Sequence, residues 1–191
     1  MRDIQQITAE IFASMPSETR FSQTDAALIK QHKELLLGLE DDLTKGFYDT
    51  LYSHQQTLEI LQQEDRSKRE NVLRSWWQKT ITSDFDDTYW EWQVFVGLVH
   101  IKQKVSNPMM ISMWGWILTA LRSLLKEHLN QPDLDTLMVA FERLAATIQA
   151  LTAESFLSNY VQAIEQATGF NNKLIDRMVN LQIDGLIAKR A

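Results

Sequence analysis

Glycine and proline are scarce in this chain, with 6 and 3 in 191 residues. A β-sheet protein of this length needs many tight turns, and those turns draw on Gly and Pro. With so few breaks, the elements between them must be long, and long elements in a domain of this size are helices. The length predicts one domain with a small appendage. Hydrophobic residues at 45% and charged residues at 23% are ordinary globular usage, which argues against disorder.

Helical periodicity runs through most of the sequence. Ile4, Ile7, Ile11 and Phe12 fall on one side of a short leading helix over 3–14, which Pro16 interrupts. Ser22 or Thr24 opens a segment reaching residue 53, with Ala27, Leu28, Leu35, Leu36, Leu39, Leu43, Phe47 and Leu51 at helical spacing and Gly38 as its point of division. Leu58 to Leu61 is a short apolar turn. Asp65 caps a helix over 66–82, and Asp84, Asp86 and Asp87 set the start of the next, which carries Trp90, Val94, Phe95, Leu98 and Ile101. Asn107-Pro108 reads as a cap followed by Pro in the first helical position, opening a very apolar helix from Met109 to Leu129. Pro132 and Asp133 start the last large helix, Gly169 ends it, and 171–188 form one more amphipathic helix. The organisation expected is a leading helix over 1–20, a main domain over 21–168 and a tail helix or linker over 169–191. A globin, a four-helix bundle and a helical regulatory domain all suit that pattern.

Several functions are disfavoured. The net charge of −6 has no basic run, so nucleic acid is not an expected partner. No Cys means no disulfide framework, thiolate metal site or cysteine nucleophile, and a cytoplasmic setting is expected. Met1-Arg2-Asp3 leads into polar residues with no apolar signal core, and no stretch approaches the roughly 20 apolar residues that span a bilayer. No phosphate loop, GxSxG elbow, HExxH pair or ExxH pattern appears, so an enzyme is not expected. The histidines are His32, His54, His100 and His128, and none pairs with another at helical metal-ligand spacing.

His100 differs in its setting, deep in the apolar run Val94-Phe95-Val96-Gly97-Leu98-Val99. Val96 and Gly97 lie one turn earlier on the same face, and Gly97 would let a flat group approach the backbone. The plain alternative is a core histidine with both nitrogens hydrogen-bonded. Tyr48 sits on another apolar segment, its hydroxyl either at the core edge in water or directed at a partner. The tryptophans form close pairs, Trp76-Trp77, Trp90-Trp92 and Trp114-Trp116. Each can simply pack the core, but neighbours in sequence cannot all face it, so one or two should line a pocket or a subunit contact.

Taken in order, these pieces resemble the protoglobin and globin-coupled-sensor family. Phe47-Tyr48-Asp49 with Leu51 resembles the family's helix whose tyrosine faces the distal side of the haem. Arg74-Ser75-Trp76 with Val72 and Leu73 resembles its distal helix. Asp86-Asp87 followed by Val96-Gly97-Leu98-Val99-His100 resembles the helix of the proximal histidine, and Asn107-Pro108 matches the next boundary. The resemblance covers residues 22–165, and the spacing from Tyr48 to His100 suits it.

The resemblance implies an all-α globin fold, a helical sandwich with an extra N-terminal helix and a C-terminal tail helix. It implies haem b with His100 as the iron ligand, the opposite axial position being open to a diatomic gas (dioxygen, CO or NO). The second ring nitrogen of His100 would donate to a backbone carbonyl one turn earlier. No histidine lies between Asp65 and Ser83, which leaves Tyr48 as the distal donor. Phe47, Val72, Leu73 and Trp76 would line the distal side, Val96 and Gly97 the proximal side. Arg69, Lys102 and Lys104 are the cations available to the haem propionates. The large helices over 109–129 and 133–168 would pair two copies as a homodimer that passes a signal to an output partner or domain. The alternative from another class is a haemless helical interaction module of a signalling complex, with His100 a core residue.

Overall fold

The computed structural model describes residues 3–61 and 65–189, and every regular element among them is helical. The helices are α1 (Ile4–Ser14), α2 (Gln23–Gln31), α3 (Lys33–Gly38), α4 (Glu40–Ser53), α5 (Gln55–Leu61), α6 (Arg66–Thr82), α7 (Asp87–Lys102), α8 (Asn107–Leu125), α9 (Gln131–Thr168) and α10 (Asn172–Ala188), with a 3-10 turn over Ser17–Thr19. None of the described helices is long and apolar enough to cross a membrane.

The helix starts follow local chemistry. Asp65 accepts from the Ser67 amide, Asp86 from the Tyr89 amide and Asn130 from the Asp133 amide, each satisfying a donor that the first turn would leave open. Ser22 and Asp25 form a reciprocal capping box at α2. Gly169 ends α9 at φ 73°, where a side chain would be strained. Two boundaries differ from expectation. Ser106 caps α8, with Asn107 and Pro108 as its first two residues. Proline fits there because its missing N–H faces no helical acceptor. The segment from residue 22 to 53 breaks twice, at His32 and Leu39, rather than once at Gly38.

The core lies between α9 and the helices laid across it. Leu137, Phe141, Leu144, Ile148 and Leu151 put one face of α9 wholly inside. Trp77 stacks on Phe141 with ring centroids 6.0 Å apart, and its indole N–H donates to the Leu36 carbonyl at 3.0 Å, so one side chain ties α3, α6 and α9. Asp25, 2% exposed, holds Ser22 and also accepts from Arg143 at 3.1 Å, fastening α2 to α9. At the α6–α7 turn, Phe85 takes φ 53°, costly for a bulky residue. Its buried ring, 4.6 Å from Phe21 and 5.0 Å from Tyr89, holds it there.

The tightest seam is α7 on α9. A Cβ on Gly97 would lie 2.6 Å from the Thr152 carbonyl oxygen and 3.0 Å from the Ser155 Cβ. Beside it the Ser155 hydroxyl donates to the Val94 carbonyl at 2.8 Å. Gly97 therefore serves helix packing, and α9 fills the space expected for a flat ligand. Gly97→Ala should lower stability by about 1–3 kcal/mol despite its better helix propensity, because it overpacks this seam; urea unfolding of the two proteins measures the difference.

Candidate functional site

Residues of α6 and α7 face a common slot, and residues of α4, α5, α8 and α9 complete its lining. The cavity is about 670 Å³, within the range of small-molecule and cofactor sites, and its wall is predominantly apolar.

α7 presents one face to the slot: Trp92, Gln93, Phe95, Val96, Val99 and His100. His100 alone of the four histidines lines it. His32 is half-buried at the α2–α3 break, and His54 and His128 are exposed. The His100 Nδ1 is buried and has no hydrogen-bond partner, so the expected backbone acceptor one turn earlier is not engaged. Burial pushes the His100 imidazole below its ordinary 6.5, which keeps it neutral and its ring nitrogen available as a lone-pair donor at neutral pH. Among the described residues no group of three or more His, Cys, Asp or Glu could hold a metal ion.

The opposite wall comes from α4 and α6. Phe47, Tyr48, Leu73 and Trp76 line it. Tyr48 is buried, and its hydroxyl donates to the Arg69 carbonyl at 2.7 Å, which ties α4 to the first turns of α6. Val72 also lines the slot, yet 69% of it is exposed, and Phe95 and Val99 across from it are exposed as well. These three apolar side chains form an open mouth rather than an enclosed lining. Gly97, on the α9 side of its helix, is not part of the wall. Of the three cations expected near a ligand's charged edge, Arg69 lines the cavity, while Lys102 and Lys104 are exposed and stand outside it.

Each tryptophan pair divides between core and cavity. Trp76, Trp92 and Trp114 line the slot. Trp77 and Trp90 are buried in the core, and Trp116 packs on α4 where Gly46 leaves room, a Cβ there meeting its ring at 2.8 Å. Sequence reasoning missed Met109, Met110 and Met113, which line the slot from α8, and Ile148 and Thr152 from α9. Their periodicity marks them only as apolar helix faces. It missed Gln93 too, a wholly buried amide that donates to the Tyr89 hydroxyl at 2.8 Å while its Oε1 has no partner.

A chain of charges holds the α4–α6 wall together. Asp49, next to Tyr48, pairs with Lys45 at 2.6 Å and Arg66 at 2.7 Å, and Arg66 and Arg74 both reach Glu70. The hydrogen bond from Lys45, then that from Arg66, hold the Asp49 carboxyl below the usual 3.8.

The architecture matches that of a solved structure, the globin domain of the Geobacter sulfurreducens globin-coupled sensor. The match has a TM-score of 0.66 at 17% identity and covers 82% of this chain and 99% of that one. At that identity the likeness establishes the fold, which is the globin fold. The Protoglobin family model matches residues 9–181, nearly the whole chain, and the protein belongs to that family. The match starts inside α1 and ends inside α10, so both flanking helices contribute to it. No curated protein sequence matches the chain.

The Asp49 pairs stabilise only the ionised carboxylate, so their contribution is full above pH 3.8 and is lost as pH falls through the depressed value. Asp49→Asn should therefore lower the thermal midpoint at neutral pH and converge with the parent protein as pH falls below the depressed value. Salt should narrow the difference at neutral pH.

Proposed function

We propose that the protein binds haem b in the slot between α6 and α7, with His100 as the iron ligand, and serves as a gas-binding or gas-sensing globin. The observation that carries this reading is the neutral, desolvated imidazole of His100 on the wall of an apolar slot of about 670 Å³, its Nδ1 buried without a partner. The residues present fit the group. A flat, largely apolar macrocycle suits a slot lined by tryptophan and aliphatic side chains. Held by His100, its iron would supply the chemistry that binds a diatomic ligand.

The chain's own residues do the rest. Val96 and Val99 flank the imidazole along α7, and packing on the slot wall, rather than a carbonyl partner, sets the ring's orientation. Phe47, Leu73 and Trp76 give the α4–α6 wall an apolar surface that would keep water from the iron. The Tyr48 hydroxyl is a polar donor on that wall. It reaches a gas ligand only by leaving the Arg69 carbonyl, so ligand occupancy is coupled to a bond between α4 and α6. The role is binding and signalling rather than catalysis.

A homodimer through α8 and α9 belongs to the same reading. Ile111 on α8 and Leu157, Tyr160 and Ile164 on α9 are exposed apolar side chains that a second copy would cover.

Purified protein given haem should show a Soret band that His100→Ala weakens or shifts, with added imidazole restoring it. A protein that stays colourless with excess haem would favour a haemless interaction module. Tyr48→Phe should speed oxygen dissociation by about tenfold if the hydroxyl donates to the bound gas, the worth of one hydrogen bond of about 1.4 kcal/mol; an unchanged rate removes Tyr48 from gas binding. Leu157→Glu should shift the dimer to monomer in light scattering.

A further inference from the structure

The slot carries a charge pattern that its apolar character obscures. Among the described residues lining it are two cationic side chains, Arg69 and Lys79, and no aspartate or glutamate, in a chain whose net charge is −6. An apolar, partly desolvated wall strengthens the field of any charge set on it, so the site favours a ligand with an anionic edge.

Lys79 is the cation placed to meet such an edge. It is exposed on α6 and lines the slot, with its ammonium 3.8 Å from the centre of the Trp92 ring across the gap to α7. A cation over an indole face keeps its N–H donors available outward, and the contact is worth only about 0.5–1 kcal/mol at an exposed site. The other side of the same helix is different. Arg66 is paired with Asp49 and Glu70, and Arg74 with Asp41 and Glu70, where α6 meets α4. Lys79 has no carboxylate within ion-pair distance among the described residues. It stands instead near the strip of Ser75 and Val72, where the slot opens to solvent.

We propose that Lys79 is a ligand-anchoring residue, its ammonium pairing with a carboxylate on the edge of the planar ligand that fills the slot. This rests on the haem reading above, in which the carboxylates are the propionates. It replaces Lys102 and Lys104, which stand outside the cavity. Trp92 holds the ammonium at the rim beforehand, so little side-chain freedom is lost when the carboxylate arrives.

The test compares two probes on the full chain, ferric protoporphyrin IX and its dimethyl ester, which has the same ring and iron but no carboxylates. Dissociation constants come from Soret titration of wild type, Lys79→Gln and Lys79→Arg. The expected result is a loss of roughly three- to tenfold in Lys79→Gln for the free acid, the worth of one charge-assisted hydrogen bond at a partly exposed site. The ester should bind both proteins alike, Lys79→Arg should retain acid binding, and salt should shrink the wild-type preference for the acid. An equal loss for acid and ester would show that Lys79 only packs on Trp92, and no loss for either would show that it stands clear of the ligand. Both results overturn this assignment and leave haem binding intact. A wild type that binds neither porphyrin overturns the assignment together with the reading it rests on.

Discussion

The position of His100 depends on the seam where α7 crosses α9. Gly97 lets the α7 backbone come against the Thr152 carbonyl, and the Ser155 hydroxyl fixes the crossing by donating to Val94. With that side of α7 pressed on α9, the side bearing Val96 and His100 must turn to the slot. The imidazole is therefore aimed by its helix, and no hydrogen bond at Nδ1 is needed to hold it. This separates two tasks that the sequence placed together. Val96 lines the slot, while Gly97, the next residue, faces α9.

The other wall is built differently. α4 and α6 are joined by ion pairs through Asp49, Arg66, Glu70 and Arg74, and by the partly buried hydrogen bond from Tyr48 to the Arg69 carbonyl. Ion pairs at partly exposed sites contribute modestly and yield to solvent, whereas close-packed seams do not. The slot thus has a rigid side carrying the imidazole and a softer side carrying the tyrosine. In a sensor that asymmetry gives a ligand something to move.

Some of the site was legible because the residues have few alternatives. The apolar helix around His100 set it apart from the other three histidines, and the family pattern gave it the ligand reading, together with Phe47, Tyr48, Val72, Leu73, Trp76, Val96 and Gly97. The tryptophan pairs were legible as a constraint, since adjacent side chains diverge by about 100° on a helix. The constraint could not say that Trp76, Trp92 and Trp114 would be the members facing the slot. Met109, Met110 and Met113 were invisible because an apolar face looks the same whether it meets a core or a cavity.

The scarcity of Gly and Pro, the helical periods and the capping residues determined by themselves an all-helical chain with most of its boundaries in place, because those signals act within a turn or two of backbone. The family pattern added the globin fold and the imidazole. What only the tertiary structure decided is which side of each helix meets which neighbour. Gly97 could not be assigned until α9 lay against it, nor the Tyr48 hydroxyl until the Arg69 carbonyl stood 2.7 Å away. Lys79 gained its meaning only when Trp92, from another helix, came under it. Local sequence fixes what a residue can do; the long-range packing of helices, to which a window of neighbours is blind, fixes what it faces.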